Sequence, residues 1–368
     1  MTKRFGVGII GLEPHRSWAA TAHLPALAAL QDDFELVGVA NRTAESSASA
    51  AAACGLKRGF DSAEDLIASA EVDIVTITVK VPHHHRLVAA ALGAGKHVYC
   101  EWPLGNGLKE AVELAQMART RNLVAVAGMQ ALFAPEIIQL RALIADGFIG
   151  DVLSTSLTGT GGQWGDTVQR ANHYVLDRSN GATLLSIPVG HVLAAMTDVL
   201  GPIDTLSATL ANRRHGARDT ETNELIPMTA HDQVLVNGVL SSGAPFSLHY
   251  RGGDGLSDGF VWTVHGSAGE LRLEGPLGHA QLAPLSLSGG KTGERAMQPL
   301  ALPPTLAADS RDGAVAGNVG RLYAAMAHDL RSGDRTAPRF DDAVAVHRII
   351  ESIERSDETG RRVSLSKT

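Results

Sequence analysis

Short β-branched runs and Ala/Leu-rich stretches alternate through the first 128 residues. The β-branched runs have the length of buried strands, whereas the stretches between them repeat their apolar residues at the helical period. The predicted strands are Phe5–Ile10, Glu35–Ala40, Val72–Val79, Lys96–Cys100 and Leu123–Ala127. The predicted helices are Ala19–Leu30, Ala44–Ala53, Ala63–Ala70, His84–Ala94 and Leu108–Arg121. This strand–helix repetition predicts an α/β domain with a doubly wound parallel sheet.

The pattern changes after Gly128. One more helix, Pro135–Asp146, precedes a Gly-rich stretch, and strand-like segments with alternating apolar and polar positions follow. These segments are Asp204–Leu210, Gln233–Leu240, Phe246–Tyr250, Phe260–His265 and Glu270–Leu273. A Pro/Gly/Ser-rich loop is predicted over Ala283–Thr305, and two closing helices over about 315–331 and 341–356. We predict a Rossmann domain over 1–128 and an α+β domain with a large, mostly antiparallel sheet over 129–368, with the closing helices able to pack back on the first domain.

The chain is too long for one compact core. Single cores stop growing at about 250 residues, so 368 residues favour two domains. The apolar content of 44% excludes disordered and fibrous classes. Acidic residues outnumber basic ones, 39 to 32, and no Lys/Arg block exceeds two residues. This charge pattern lacks the footprint of a nucleic-acid or anionic-membrane surface, so we expect a small-molecule substrate or a protein as partner.

Cysteine usage and the first residues indicate a compartment. Cys54 and Cys100 are the only cysteines and form no C-x-x-C or zinc spacing, so we expect neither a disulfide framework nor a metal site. A strand-like run starts at Phe5, which leaves no room for a signal peptide, and we identify no apolar stretch long enough to span a membrane. We therefore expect a cytoplasmic protein.

A glycine pattern near the start suggests a phosphate-binding loop. Gly6, Gly8 and Gly11 match the dinucleotide pattern G-x-G-x-x-G, but the first two fall inside the predicted strand, where the pattern has no function. The relevant turn begins at Gly11, and we expect its backbone amides to bind a pyrophosphate at the start of the next helix. The residues expected to take part are Gly11, Leu12, Arg16, Ser17 and Trp18. A plain strand–loop–helix junction is the alternative.

The end of the second strand indicates which dinucleotide binds. An NAD site places Asp or Glu there, whereas this chain has Asn41, Arg42 and Thr43. Arg42 offers a guanidinium to a 2′-phosphate, and Asn41 and Thr43 are neutral donors. We therefore predict NADP(H), with NAD(H) as the alternative; a solvated Arg42 is the competing interpretation.

Several motifs resemble the Gfo/Idh/MocA oxidoreductase family across nearly the whole chain. They are Asp73-Ile-Val-Thr-Ile-Thr-Val79, His84, Ala94-Gly-Lys-His-Val-Tyr-Cys-Glu101-Trp102-Pro103, Gly150-Asp-Val, Gly266-Ser-Ala-Gly-Glu-Leu and Ser356-x-x-x-Gly360-x-x-Val363. Gly159-Thr-Gly-Gly-Gln-Trp-Gly165 and Gly190-His191 look most like the branch that contains the fungal galactose-pathway repressor. The resemblance implies hydride transfer on a sugar or cyclic polyol, and a homodimer or homotetramer through the second-domain sheet. It also implies that the cofactor is lined by Val79, Lys80, His84, Glu101, Trp102 and Pro103.

The chain departs from the family at two catalytic positions. The family lysine of Glu-Lys-Pro is Trp102 here, and the Asp four residues before the motif histidine is Ile187, so only His191 remains. Lys80 follows a buried strand that should lie beside the strand ending at Glu101. Desolvation at such a strand end would favour a neutral amine, and we predict that Lys80 replaces the motif lysine. A surface role for Lys80 is the alternative.

Other residues are candidates for substrate contacts. His191 and Tyr174 can exchange protons, and Trp102 would form an apolar wall, while Trp164 and Asp177 complete the predicted substrate set. Buried packing explains Tyr174 equally well. The run His83-His84-His85 suggests a metal cluster, but adjacent side chains point in different directions, and we expect none.

These observations predict an NADP-dependent oxidoreductase acting between a secondary alcohol and its ketone, with Lys80, His191 and Tyr174 as catalytic residues. The first alternative is a catalytically silent, dinucleotide-binding regulatory protein, which the missing Lys and Asp favour. The second is an imine or activated-alkene reductase, which needs a single proton donor.

Overall fold

The structure is a computed structural model that describes residues 3–256, 259–308 and 313–365. The chain divides into two compact units. The first contains Met1–Gln130 and Arg311–Ala345, and the second contains Ala131–Ser310 and Val346–Thr368. The first unit thus includes a late segment of the chain that the sequence division counted with the second domain.

The first unit is built on a six-stranded sheet in which all neighbouring strands run parallel. Its strands are β1 (Phe5–Ile10), β2 (Phe34–Ala40), β3 (Gly59–Phe60), β4 (Ile74–Ile77), β5 (His97–Glu101) and β6 (Ala125–Gly128). Their order is β3-β2-β1-β4-β5-β6, so the direction of winding reverses between β1 and β4. This confirms the predicted doubly wound Rossmann sheet. The sequence analysis missed β3, since two residues carry no periodicity.

Ten α-helices are described. They are α1 (Leu24–Ala29), α2 (Ala44–Ala53), α3 (Ala63–Ala68), α4 (His84–Gly93), α5 (Leu108–Thr120), α6 (Pro135–Ala145), α7 (Gly190–Leu200), α8 (Pro304–Ala308), α9 (Gly313–Ser332) and α10 (Phe340–Thr359). The predicted helix Ala19–Leu30 is in fact a π-helical turn, Ala19–His23, followed by α1. Helical periodicity does not distinguish these two forms of helix over so short a stretch.

The second unit contains a nine-stranded sheet and a three-stranded sheet. The strands of the unit are β7 (Val152–Gly161), β8 (Thr167–Val168), β9 (Ile203–Ala211), β10 (Gly216–Asp219), β11 (Leu225–Pro227), β12 (Gln233–Leu240), β13 (Pro245–Gly252), β14 (Phe260–Gly266), β15 (Gly269–Gly275), β16 (Ser286–Lys291), β17 (Gln298–Pro299) and β18 (Val363–Ser364). The large sheet has the order β17-β16-β15-β14-β7-β13-β12-β9-β18, and the small one β11-β10-β8. Within the large sheet only β7 and β13 pair in parallel, which confirms a mostly antiparallel sheet.

The predicted loop Ala283–Thr305 was wrong in part, because it contains β16 and β17. Four Ser/Gly positions around Leu287 hide the strand pattern, yet Leu287 is buried opposite Leu273 of β15. Backbone pairing with an existing strand therefore decides the conformation here rather than intrinsic propensity.

One helical stretch, Arg178–Leu200, is long and apolar enough to cross a membrane by length and composition, with a mean hydropathy of 1.5. The sequence analysis overlooked it. Its apolar window is 67% buried inside the protein, so packing in the second unit accounts for its apolar character.

Candidate functional site

The turn after β1 is the first part of the candidate site. Gly11 has a φ of 104°, and a Cβ added there would lie 2.7 Å from Cγ1 of Val79. Leu12 N donates to Oδ1 of Asn41 at 2.9 Å, and Asn41 Nδ2 donates to Leu12 O at 2.8 Å. The end of β2 thus holds the turn in place. Asn41 was predicted to donate to the cofactor, but its amide is used on the turn itself.

The rest of the turn leaves backbone amides accessible for an anion. Ser17 Oγ donates to Glu13 O at 2.7 Å and accepts from Glu13 N and Ala20 N, so it closes the turn and the start of the helix. Arg16 forms an exposed ion pair with Glu13 at 2.8 Å. Within the described residues, the amides of His15 and Arg16 have no hydrogen-bond acceptor.

Trp18 contributes a further donor beside this turn. Its indole Nε1 is buried and has no hydrogen-bond partner within the residues that the structure describes. A buried N–H without an acceptor is costly unless a ligand supplies one. Gly11 has no side chain to block a ligand, and the Trp18 indole and the backbone amides of His15 and Arg16 are donors that fit the pyrophosphate of a dinucleotide.

The residues after β2 have different roles. Thr43 caps α2, with its hydroxyl accepting from Ser46 N at 3.2 Å. Arg42 is exposed, and the described part of the chain provides no hydrogen bond or ion pair for its guanidinium. The guanidinium of Arg42 is therefore an exposed cation just after β2.

Val79, Lys80 and His84 lie in the segment that follows β4. β4 pairs with β5 as predicted, from Ile74 opposite His97 onward. Lys80 is exposed, so its own surroundings in the structure do not provide the desolvation that the sequence analysis assumed. The prediction that it replaces the family lysine stays a prediction.

His84 joins two strand ends. It is buried, with Nε2 at 2.8 Å from Val79 O and Nδ1 at 2.8 Å from Pro103 O. Burial lowers the pKa of His84, against the two carbonyl contacts and the charge of Glu101, which raise it. His84 therefore ties the segment after β4 to the cis peptide bond Trp102–Pro103 after β5.

Glu101 ends β5 and is surrounded by partners that the sequence analysis missed. His23 Nε2 lies 2.9 Å from Oε1, and Gln130 Nε2 donates to both carboxylate oxygens at 2.8 and 2.7 Å. Tyr323 of α9 lies 2.9 Å from the other ring nitrogen of His23. No local signal reveals these contacts, because His23 and Tyr323 are 300 residues apart. Trp102, the next residue, is buried.

In the second unit, His191 begins the buried face of α7. A π-helical turn, Leu185–Val189, precedes that helix, and such turns are frequent at functional sites. Burial, followed by the charge of His279, lowers the pKa of His191 to about 3. Burial lowers the pKa of His279 to about 4, so both imidazoles are neutral at pH 7. The sequence analysis did not identify His279.

Trp164 links His279 to the predicted substrate segment. The rings of Trp164 and His279 stack with centroids 6.3 Å apart, and Trp164 Nε1 donates to Val175 O at 3.0 Å. Tyr174 precedes Val175, and burial raises its pKa, which keeps the phenol protonated. The structure therefore brings Trp164, Tyr174 and His279 into one part of the second unit.

Asp177 and His173, in the same segment, each form a hydrogen bond within the second unit. Asp177 is exposed and accepts from Ser179 N at 2.9 Å, so it caps a short turn. His173 Nε2 lies 2.6 Å from the buried carboxylate of Asp219, a pairing that the sequence analysis did not anticipate. Within the described ranges, no group of three or more His, Cys, Asp or Glu side chains could hold a metal ion.

Comparison with known proteins identifies the family. Residues 5–129 match the oxidoreductase family with an NAD-binding Rossmann fold, and residues 135–275 match the Gal80p C-terminal domain. The chain belongs to the Gfo/Idh/MocA oxidoreductase family and carries a Gal80-like C-terminal domain, as the resemblance predicted. Family membership places it in the dehydrogenase and reductase class, and the non-catalytic alternative stays open.

Three similar proteins illustrate both alternatives. Dehydrogenase aclE of Aspergillus oryzae is 29% identical over 99% of each chain. The galactose/lactose metabolism regulatory protein GAL80 of Kluyveromyces lactis is 26% identical, over 98% of this chain and 95% of that protein. A crystal structure of transcriptional regulator Gal80p from that yeast has a TM-score of 0.87 at 29% identity, covering 99% of this chain and 92% of the other. Levoglucosan dehydrogenase, in complex with NADH and levoglucosan, shares the fold with a TM-score of 0.84 at 18% identity, covering 99% of this chain and all of that chain.

Proposed function

We propose that this protein is an NADP(H)-dependent oxidoreductase that acts between a secondary alcohol and its ketone on a sugar or cyclic polyol. The observation that carries the proposal is the set of residues just after β2. Arg42 is exposed there, Asn41 beside it is hydrogen-bonded to Leu12, and positions 41–43 hold no carboxylate. A guanidinium there favours a 2′-phosphate, whereas a carboxylate would repel it. NAD(H) is the alternative cofactor, since the levoglucosan dehydrogenase complex contains NADH.

The substrate class rests on the family and on its dehydrogenase members. When bound, oxidised cofactor supplies the hydride acceptor at nicotinamide C4. In this proposal Lys80 accepts the hydroxyl proton in the oxidative direction, and Trp102 excludes water from the reacting atoms. His191, neutral at pH 7 because burial lowers its pKa to about 3, orients the hydroxyl. Tyr174 is a second donor, and Trp164 and Asp177 contribute substrate contacts.

Cofactor titration followed by a substrate screen tests the proposal. NADPH and NADH are titrated by fluorescence, and cyclic polyols, aldoses, ketones and imines are then screened by absorbance with the tighter cofactor. We expect tighter NADPH binding and turnover of a polyol or ketone. Lys80→Ala should lower kcat by roughly 10²- to 10⁴-fold with little change in NADPH affinity, whereas exposed Lys109→Ala should not. Wild-type protein that binds neither cofactor would contradict the dinucleotide assignment itself.

A regulatory protein without catalysis is the second candidate. The specific observation in its favour is that Trp102 and Ile187 stand where the family has Lys and Asp, combined with the likeness to GAL80 over 98% of the chain. It predicts tight NADPH binding with no turnover of any compound in the screen. Turnover of imines alone would instead indicate a reductase that needs a single proton donor.

A further inference from the structure

A continuous hydrogen-bonded chain of side chains crosses the first unit and ends at Glu101. Thr76 Oγ1 lies 2.9 Å from the hydroxyl of Tyr323, and that hydroxyl lies 2.9 Å from Nδ1 of His23. Nε2 of His23 lies 2.9 Å from Oε1 of Glu101, and Gln130 Nε2 donates to the same carboxylate. Four side chains, those of Thr76, Tyr323, His23 and Gln130, thus lead to one carboxylate.

Aromatic rings shield these hydrogen-bonded side chains from solvent. His23, Thr76 and Tyr323 are fully buried, and the side chain of Glu101 is 12% exposed. The rings of Tyr99 and Tyr323 stack at 4.8 Å, and His23 meets both of them edge-on. Water therefore screens the Glu101 charge little, and its field acts over a longer range than at a surface.

Burial keeps the two tyrosines beside Glu101 protonated. Burial raises the pKa of Tyr323, and the Glu101 charge adds to that effect, so Tyr323 stays a phenol. Its hydroxyl can donate to His23 Nδ1, and Nε2–H of His23 can donate to Glu101. Burial and the same charge also raise the pKa of Tyr99, which keeps a second negative charge out of the cluster.

Glu101 lies at the edge of the sheet where a dinucleotide would bind. In a sheet of this order the dinucleotide crosses the switch point between β1 and β4, with its adenosine ribose at the end of β2. The nicotinamide half of a bound dinucleotide would therefore lie over the ends of β4, β5 and β6. Glu101 is the last residue of β5.

We propose that Glu101 supplies a fixed negative charge beside the nicotinamide, which stabilises the oxidised, positively charged ring relative to the neutral reduced ring. His23 and Tyr323 are positioning residues, because they hold the carboxylate through the hydrogen-bonded chain. The inference rests on the proposed function and adds that the site favours the oxidised over the reduced cofactor. In ketone reduction a bound reduced cofactor would supply a hydride to the carbonyl carbon while Lys80 donates a proton to the oxygen, and Glu101 would stabilise the positive charge left on the ring.

The test compares the affinities of the oxidised and reduced cofactor, using whichever pair binds wild-type protein more tightly. Reduced cofactor is titrated by fluorescence, and the oxidised form by displacement at the same pH and ionic strength. We expect Glu101→Gln to weaken binding of the oxidised form roughly tenfold relative to the reduced form. Glu101→Asp, which keeps the charge, should retain most of the wild-type ratio.

Glu64→Gln is the matched control, because it removes one carboxylate of the same unit at an exposed ion pair with Arg86. It should leave the affinity ratio unchanged. Tyr323→Phe removes the donor that fixes the His23 tautomer and should shift the ratio in the same direction as Glu101→Gln. If circular dichroism shows that Glu101→Gln does not fold, the affinity ratio of Tyr323→Phe tests the proposal instead.

An unchanged ratio in folded Glu101→Gln, or in Tyr323→Phe where only that variant folds, overturns this proposal and leaves the proposed function intact. A ratio that changes equally in Glu64→Gln would also overturn it, because net charge alone would then be responsible. Wild-type protein that binds neither form contradicts the proposed function instead.

Discussion

Asn41 binds both backbone polar groups of Leu12, accepting from its N–H at 2.9 Å and donating to its carbonyl at 2.8 Å. The two residues are 29 positions apart, at the ends of adjacent parallel strands. The side chain thus takes the place of a backbone partner in the turn that would hold the pyrophosphate. The conformation of this turn depends on the end of a neighbouring strand as well as on its own residues.

Asn41→Ala should therefore destabilise the protein and weaken cofactor binding together. It leaves the part-buried Leu12 amide without an acceptor, a loss worth about 1 to 3 kcal/mol of unfolding free energy. Urea denaturation measures the stability and NADPH titration the affinity. Asn41→Asp keeps the acceptor but adds a carboxylate, so it should weaken NADPH binding more than NADH binding. Equal losses for both cofactors in Asn41→Asp would count against a 2′-phosphate at this position.

Arg42→Ala should weaken NADPH binding selectively. A charge-assisted hydrogen bond contributes about 1.5 to 3 kcal/mol, which corresponds to roughly 10- to 100-fold in affinity. NADH lacks the 2′-phosphate, and its affinity should stay within about twofold of wild type. Arg86→Ala, which removes an exposed arginine paired with Glu64, is the control and should affect neither cofactor. A parallel loss of both affinities would assign Arg42 a role other than 2′-phosphate recognition.

Acid should destabilise the second unit through His191 and His279. Their pKa values are lowered from 6.5 to about 3 and about 4, mainly by burial, so the unfolded chain binds protons that the folded protein does not. The stabilisation is complete above pH 6.5 and is lost as the pH falls toward these values. For each histidine the loss at pH 5 relative to pH 8 is about 1 to 2 kcal/mol.

Urea denaturation at the two pH values measures this loss. His279→Asn should reduce the pH dependence by the contribution of one histidine, whereas a change at exposed His15 should not. An identical pH dependence in His279→Asn would contradict the assignment of a depressed pKa to this residue.

Tyr323 and Thr76 should be energetically coupled. Tyr323→Phe leaves His23 Nδ1 and Thr76 Oγ1 without their 2.9 Å partner, so we expect a loss of about 1 to 3 kcal/mol of unfolding free energy. Adding Thr76→Val to that variant should cost less than Thr76→Val alone, because its partner is already absent. A double-mutant cycle of denaturation free energies measures the difference. Strict additivity would show that the two hydroxyls act independently.

Much of the first unit could be predicted from local patterns. The strand Phe5–Ile10 was predicted with its observed ends, and Gly6 and Gly8 lie inside it, so the literal glycine pattern was correctly set aside. These predictions succeeded because a strand that is buried on both faces is apolar along its whole length. β16 was missed, since its serines and glycines carry no such signal and pairing with β15 alone makes it a strand.

The candidate site was predictable only in part. Motif positions identified Glu101 and His191, but their immediate surroundings were not visible in the sequence. His23 and Gln130 contact Glu101 from separate elements, and Tyr323 of α9 contacts His23. His279 lies in a loop after β15, and its charge acts on His191. Asn41 was predicted as a donor to the cofactor, whereas its side chain binds the backbone of Leu12, because an amide can donate and accept at once.

The sequence by itself determined the class of each unit, the position of the turn after β1 and the family, because these depend on periodicity and on residues within a few positions of one another. Only the tertiary structure decided which side chains share a proton or a charge. The Tyr323–His23 contact spans 300 residues, and His23 also contacts Glu101, the last residue of β5. Such contacts are selected by the packing of the whole unit, since the cost of burying a polar group is recovered only where a distant partner completes its hydrogen bond.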